Sequence, residues 1–348
     1  MKQLITGIVL FSSALYAHAQ CKVCYSVTEA RIDPRQVREL HLTNGPLAVI
    51  DTSFNQFTSL EVLDLAYNPV MEISAGVSLP SLKELHLSHT SYNPWKIGDI
   101  GKAFPLLESL DLSSNQLSFI WSGLQSLQNL VRLNVSDNQL ITVPVEMMYL
   151  SKLKELNISK NQIRLQSNEL GSLWTLEKLD ISQNEGLGTT NLILSICESK
   201  HLKDLAIDGN GLNPKSMQQL AQMKLERLEL VDMKESSNVD FTRFSSIKTV
   251  ALTHAPSWFS PENSKQFDNV AELELTEATI PAGLDKLKSL RTLVLNATNE
   301  AQLPLLYPLK KLEILNVTNT SVSKDQLAQL KKALPNTRIA AGRPSIPP

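Results

Sequence analysis

Thirteen times, at intervals of 20 to 26 residues, this chain spells L-x-x-L-x-L-x-x-N-x-L or a degraded copy of it. Clean copies begin at Leu60, Leu107, Leu130, Leu153 and Leu202, and looser ones at Val37, Leu82, Leu176, Leu225, Ile247, Val270, Leu290 and Leu312. No such copy can bury an apolar face alone, so the copies must stack into one continuous solenoid. The fourth and sixth places are apolar and alternate with polar ones, the period of a short strand with one face buried. Leu110 and Leu112 should point inward, Ser109 and Asp111 outward. The Asn at the ninth place (Asn68, Asn115, Asn138, Asn161, Asn184, Asn210) sits where the chain turns off the strand. Buried there, its amide can satisfy backbone groups of its own and the neighbouring coil. A second apolar set, such as Val143, Met147 and Leu150, closes each coil behind the strand.

These residues resemble the leucine-rich repeat family over roughly residues 37 to 322. The resemblance implies an α/β solenoid, a horseshoe with a concave parallel β-sheet and short 3₁₀, helical or extended segments on its convex side. Leu130 to Lys152 reads LxxLxLxxNxLxxVPxxMxxLxx and looks like the family's 23-residue class. Two longer repeats, from Leu82 (with Trp95) and from Leu176 (with the apolar run before Cys197), are expected to carry a helical turn. From Leu225 onward Met233, Ala255, Ala278, Thr298 and Thr320 replace the Asn, so looser turns are expected in the last third.

The chain divides into five parts. Residues 1–19 read as a signal peptide: Lys2, an apolar run from Leu4 to Tyr16, then Ala17-His18-Ala19. Residues 20–36 form an N-terminal cap with a short helix over 25–36, residues 37–322 the array, residues 323–340 a C-terminal capping helix and end, and residues 341–348 a loose tail. Leu327, Leu330 and Leu334 supply the helical spacing of the second cap, which Pro335 stops. The signal-like run is too short to span a bilayer, and no other stretch is long and apolar enough to do so. Cys21 and Cys24 could close a small disulfide over the first coil, or stay reduced; their spacing also resembles redox motifs.

With 348 residues and a net charge of −2, the chain gives no electrostatic reason to expect nucleic acid as a partner. The third, fifth, seventh and eighth places of the thirteen motifs should face outward, and they carry fourteen acidic residues against four basic ones, Arg132, Lys160, Lys178 and Arg227. A recognition reading selects Asp64, Tyr67, His86, Asp111, Arg132, Asn134, Glu155, Asn157, Asp180, Asp204 and Glu229 as the surface that meets a protein or peptide, cationic at the contact. The plainer reading is a solubility face, softened by Lys83, Lys154, Lys203 and Lys248 alongside. His41, Asp64 and His86 share the fifth place in three successive strands and could lean on a zinc or copper ion, but the favoured reading is a partly exposed polar ladder with no metal. Asp208-Gly209-Asn210-Gly211 begins like a calcium loop, but Leu212 stands where an oxygen ligand is needed. No GxSxG, HExxH or phosphate-binding Gly loop is present, so no enzyme activity and no cofactor are expected. The expectation is an exported recognition module, secreted, periplasmic or surface-associated. The alternatives are a passive envelope protein or a metal- or glycan-binding surface protein.

Overall fold

Every repeat delivers one short strand to the same sheet, because the inward apolar residues of neighbouring coils can be dry only when stacked. The structure is a computed structural model that describes residues 21–90, 100–164, 170, 173–184, 187–232, 244–254 and 269–342. The signal-like run, Trp95, Met233, Ala255 and the tail from residue 343 lie outside the described residues.

The first part of the sheet consists of β1 (Val23–Cys24), β2 (Glu39–His41), β4 (Val62–Asp64), β6 (Glu84–His86), β7 (Ser109–Asp111), β8 (Arg132–Asn134), β9 (Glu155–Asn157) and β10 (Lys178–Asp180). It continues through β11 (Asp204–Asp208), β12 (Arg227–Val231), β13 (Thr249–Thr253), β14 (Glu272–Thr276), β15 (Thr292–Asn296), β16 (Ile314–Asn319) and β17 (Arg338–Ala341). All fifteen run parallel in chain order. On the convex side β3 (Val49–Ile50) and β5 (Glu72–Ile73) pair in a small second sheet. Elsewhere that side is closed by 3₁₀ turns such as Thr52–Gln56, Ser122–Ser126 and Val145–Tyr149. The core is the stack of repeat leucines: Leu110, Leu133, Leu156 and Leu179 face each other on successive strands, and none is more than 2% exposed.

Among the described residues three helices stand on the convex side. The two long repeats supply α2 (Ile100–Ala103) and α3 (Thr189–Ile196). The repeat from Leu202 carries a third, α4 (Pro214–Gln222), which the repeat length does not announce. Its signal was present: Asn213 caps the N–H groups of Lys215 and Ser216, and Pro214 occupies the first turn, where its missing N–H costs nothing.

Both ends join the sheet, which the repeat pattern does not announce. At the start α1 is confined to Val27–Ala30, capped by Ser26, and β1 extends the sheet ahead of the first repeat. At the other end α5 (Lys324–Ala333) has a full capping box between Ser323 and Gln326 and buries Leu330 and Leu334. β17 then lies against β16. Gly342 follows it because a Cβ there would stand 2.3 Å from the Thr318 carbonyl oxygen.

At their described eighth places the turns of the last third keep the conformation of the earlier ones. In eleven coils the eighth residue, from Asn44 to Ala297, is left-handed with φ of 48° to 58°. Such a backbone is uncommon for a residue with a side chain. Its N–H donates to the seventh residue of the next coil in both halves: Tyr67 to Ser88 O at 3.0 Å, Glu277 to Asn296 O at 2.9 Å. What changes is the strand, which lengthens from three residues to five at β11. Backbone pairing there replaces the side-chain amide.

Candidate recognition face

The ninth-place amides form a ladder from Asn68 to Asn184. The Asn138 amide nitrogen donates to Leu112 O, Val135 O and Ser136 O, each at 3.0 Å, and its oxygen accepts Leu117 N–H at 2.8 Å. Asn115, Asn161 and Asn184 repeat the pattern. Asn210 does not take over this role. In its coil the Asp208 carboxylate accepts the N–H groups of Gln183 and Asn184, at 2.6 and 3.3 Å, and the positive φ moves to Gly211. This also disposes of the calcium-loop likeness, since Asp208 is tied into the preceding turn.

The fifth-place column runs through His41, Asp64, His86, Asp111, Asn134, Asn157, Asp180, Ala206 and Glu229 in register. Five of these side chains turn back on their own coil. Asp64, Asp111, Asn134, Asn157 and Asp180 each accept, through Oδ1, the N–H of the residue two places on, at 2.9 to 3.1 Å. An acceptor at that place holds the turn off the strand. It also fixes the amides of Asn134 and Asn157: oxygen toward the turn, nitrogen toward the groove.

The charges on the neighbouring columns cancel locally. The third place alternates in sign over five successive strands: Arg132, Glu155, Lys178, Asp204, Arg227. Arg132 reaches Glu84 at 3.3 Å and Lys178 reaches Asp204 at 3.4 Å. Arg227 contacts Glu274 at 2.6 Å, Glu229 at 2.9 Å and Asp204 at 3.6 Å. Burial alone would disfavour the Arg227 charge, but Glu229 and Glu274 outweigh it and hold the proton more tightly than usual. The second place alternates too: Lys154 with Glu177 at 2.8 Å, and Lys203 and Lys248 with Glu226 at 3.9 and 2.9 Å. Lys83 and Arg38 pair with Glu61 at 2.7 and 2.6 Å. Side by side, the two columns make a checkerboard over β9 to β12. The excess of acid along the strands is softened locally and not abolished: among the fourteen outward acids, Glu84, Asp204, Glu229 and Glu274 meet a lysine or arginine within 4 Å.

A groove of about 510 Å³ runs along the face from His86 to Glu229. Arg132, Asn134, Glu155, Asn157, Lys178, Asp180 and Asp204 all line it, with the small Ala206 opening it beside Asp180. Burial pushes the Asp180 carboxyl above its ordinary value, opposed by the Ser182 hydrogen bonds and reinforced by Glu229. Glu155 is exposed at its centre.

The metal candidate does not assemble. His41 Nδ1 lies 3.7 Å from Asp64 while its Nε2 bonds Glu39 at 3.3 Å, and His86 turns to Glu84 at 3.8 Å. Among the described residues no group of three or more His, Cys, Asp or Glu is arranged to hold a metal. Cys21 and Cys24 are joined in a disulfide, with Cys24 fully buried against the first coil. Tyr67 stacks on His89 with ring centroids 4.4 Å apart, and Tyr25 stacks on His41 at 5.6 Å. Repeat counting passes over Tyr25 because it precedes the first repeat. The signal is its place one residue after Cys24, in register with His41.

Residues 35–91, 106–127 and 149–171 match the leucine-rich repeat family. Together with the stacked parallel sheet these matches place the chain in the leucine-rich repeat superfamily. A leucine-rich repeat protein of Leptospira interrogans is 20% identical, with 91% of this chain and 98% of that one covered, at a TM-score of 0.42. The functional domain of InlJ from Listeria monocytogenes is 17% identical, with 84% and 60% covered, at 0.50. TLR13 in complex with an ssRNA is 20% identical, with 86% and 52% covered, at 0.45. At these identities the likeness concerns the fold alone. No curated protein matches the chain. No helix among the described residues is long and apolar enough to cross a membrane.

Proposed function

We propose that the chain is an exported, non-catalytic recognition module that holds a protein or peptide partner against the concave sheet. The observation that carries this is the groove, whose walls come from seven successive strands, β6 to β12, and whose amide and carboxylate groups are oriented before any ligand arrives. Preorganised polar groups lose little entropy on binding. Export rests on the signal-like residues 1–19, and the disulfide at Cys21 and Cys24 fits an oxidising destination. The cationic contact falls on the groove acids Asp111, Glu155 and Asp180, which form none of the ion pairs described above.

A second reading has one observation in its favour. A face whose charges are already paired also suits a passive envelope protein that binds nothing. A photo-crosslinking residue at position 155, used in the native envelope, separates the two. Discrete adducts lost on adding Glu229→Lys support recognition, and no adducts from any concave position support the passive role. Nuclease treatment before capture distinguishes an RNA partner from a protein.

A further inference from the structure

The N-terminal third of the concave face differs from the rest. Tyr25 and Tyr67 are 72% and 55% exposed, yet each is braced against an imidazole, His41 and His89, with interplanar angles of 24° and 9°. No other Phe, Tyr or Trp occupies an outward strand place in the thirteen motifs. The outward places of β2, β4 and β6 also hold no Lys or Arg, while Glu39 and Asp64 both lie within ion-pair distance of His41, the imidazole on which Tyr25 stacks.

We propose that this patch docks an extended, proline-rich peptide segment that carries a basic residue. The proposal rests on the concave recognition reading and names the partner's chemistry. A polyproline helix has no internal hydrogen bonds and presents rigid pyrrolidine edges, so it is recognised by fixed aromatic rings rather than by a sheet edge. Rings already stacked on a neighbour give up little rotamer freedom when a ligand packs on them. The flanking carboxylates, free of lysine or arginine in the same outward places, select a cation beside the prolines. A charged or amide-rich peptide would instead suit the groove further along.

The test uses the full chain and short fluorescein-labelled R-P-x-x-P peptides, with Ala or Asp replacing the Arg in two controls, read by anisotropy. The Arg peptide should bind best and the Asp peptide least. Tyr25→Ala and Tyr67→Ala should each weaken binding about tenfold or more, as truncating an aromatic anchor does. Both rings are exposed, so an unchanged melting temperature shows that folding is intact. Asp285→Lys, on an exposed turn outside the concave strands, should leave peptide binding as it was. Failure of all three peptides to bind, or binding indifferent to both tyrosines, overturns the proposal. A partner that crosslinks at position 155 and ignores both tyrosine variants overturns it too, and leaves the concave reading standing.

Discussion

The side-chain oxygen of Asn138 accepts the backbone N–H of Leu117, one coil earlier, at 2.8 Å. Through this contact a single amide closes its own turn and ties two coils together. Replacing it strands several buried backbone groups, so Asn138→Ala should destabilise by roughly 1–3 kcal/mol. Asn134, on the same strand turn, makes one part-buried bond to Ser136 N–H. Asn134→Ala should cost about 0.5–1 kcal/mol, and not zero as an outward side chain would suggest. Urea unfolding of both variants checks the order, and equal effects contradict it.

Leu133 is 2% exposed in the middle of the leucine stack. Leu133→Ala opens a cavity that neighbouring coils cannot fill by sliding, so the expected loss is roughly 2–5 kcal/mol. A change under about half a kcal/mol in the same urea experiment would show that Leu133 does not face the core.

Asp180 is an acid that the fold raises, by burial first, above its ordinary 3.8. The folded state then holds the proton longer than the unfolded one. Stability falls as pH rises from the ordinary value through the folded one, and the whole deficit is present at neutral pH. Asn134 and Asn157 show that an amide can hold the same turn. Asp180→Asn should therefore stabilise by roughly 0.5–1 kcal/mol at pH 7, with the gain disappearing in acid. Thermal unfolding at pH 7 and at low pH measures both halves of the statement.

His254 bonds Asp232 at 2.5 Å through Nδ1 and Glu277 at 2.8 Å through Nε2, bridging three eighth-place residues. These two carboxylates, Asp232 first, raise its pKa above 6.5. The stabilisation is complete below the unfolded value and is lost as pH rises through the higher folded one. Because the pairs are half exposed, it should stay below about 1 kcal/mol. NMR titration of the His254 ring should give a midpoint above that of free histidine, and Asp232→Asn should lower it.

The repeat period carried the sheet, its order and its inward leucines, because burial on one strand face leaves a two-residue signature in any coil. Helix α4 was legible only in its cap, Asn213-Pro214, since the repeat that holds it has ordinary length. The strands at both ends left no repeat signature: β1 and β17 add backbone hydrogen bonds without a motif leucine ladder of their own. The face was legible in outline but not in its chemistry. Sequence spacing shows that Asp111 and Asp180 leave the core; it does not show that each returns an oxygen to Ser113 or Ser182. Nor does a count of acids along one column reveal that Glu177 meets Lys154 across the coils.

The checkerboard has a consequence for assembly during folding. Adjacent coils are so alike in shape that a chain could loop one out and stack its neighbours directly, with the leucines of the remaining coils still buried. Alternation of sign weighs against that economy. Skipping the coil of β10 would set Lys154 against Lys203 and Glu155 against Asp204, and skipping that of β11 would set Glu177 against Glu226 and Lys178 against Arg227. Like charges so placed repel where the correct neighbours attract. The pattern acts as a parity check on the order of coils, written in residues that contribute little to the stability of the correct stack.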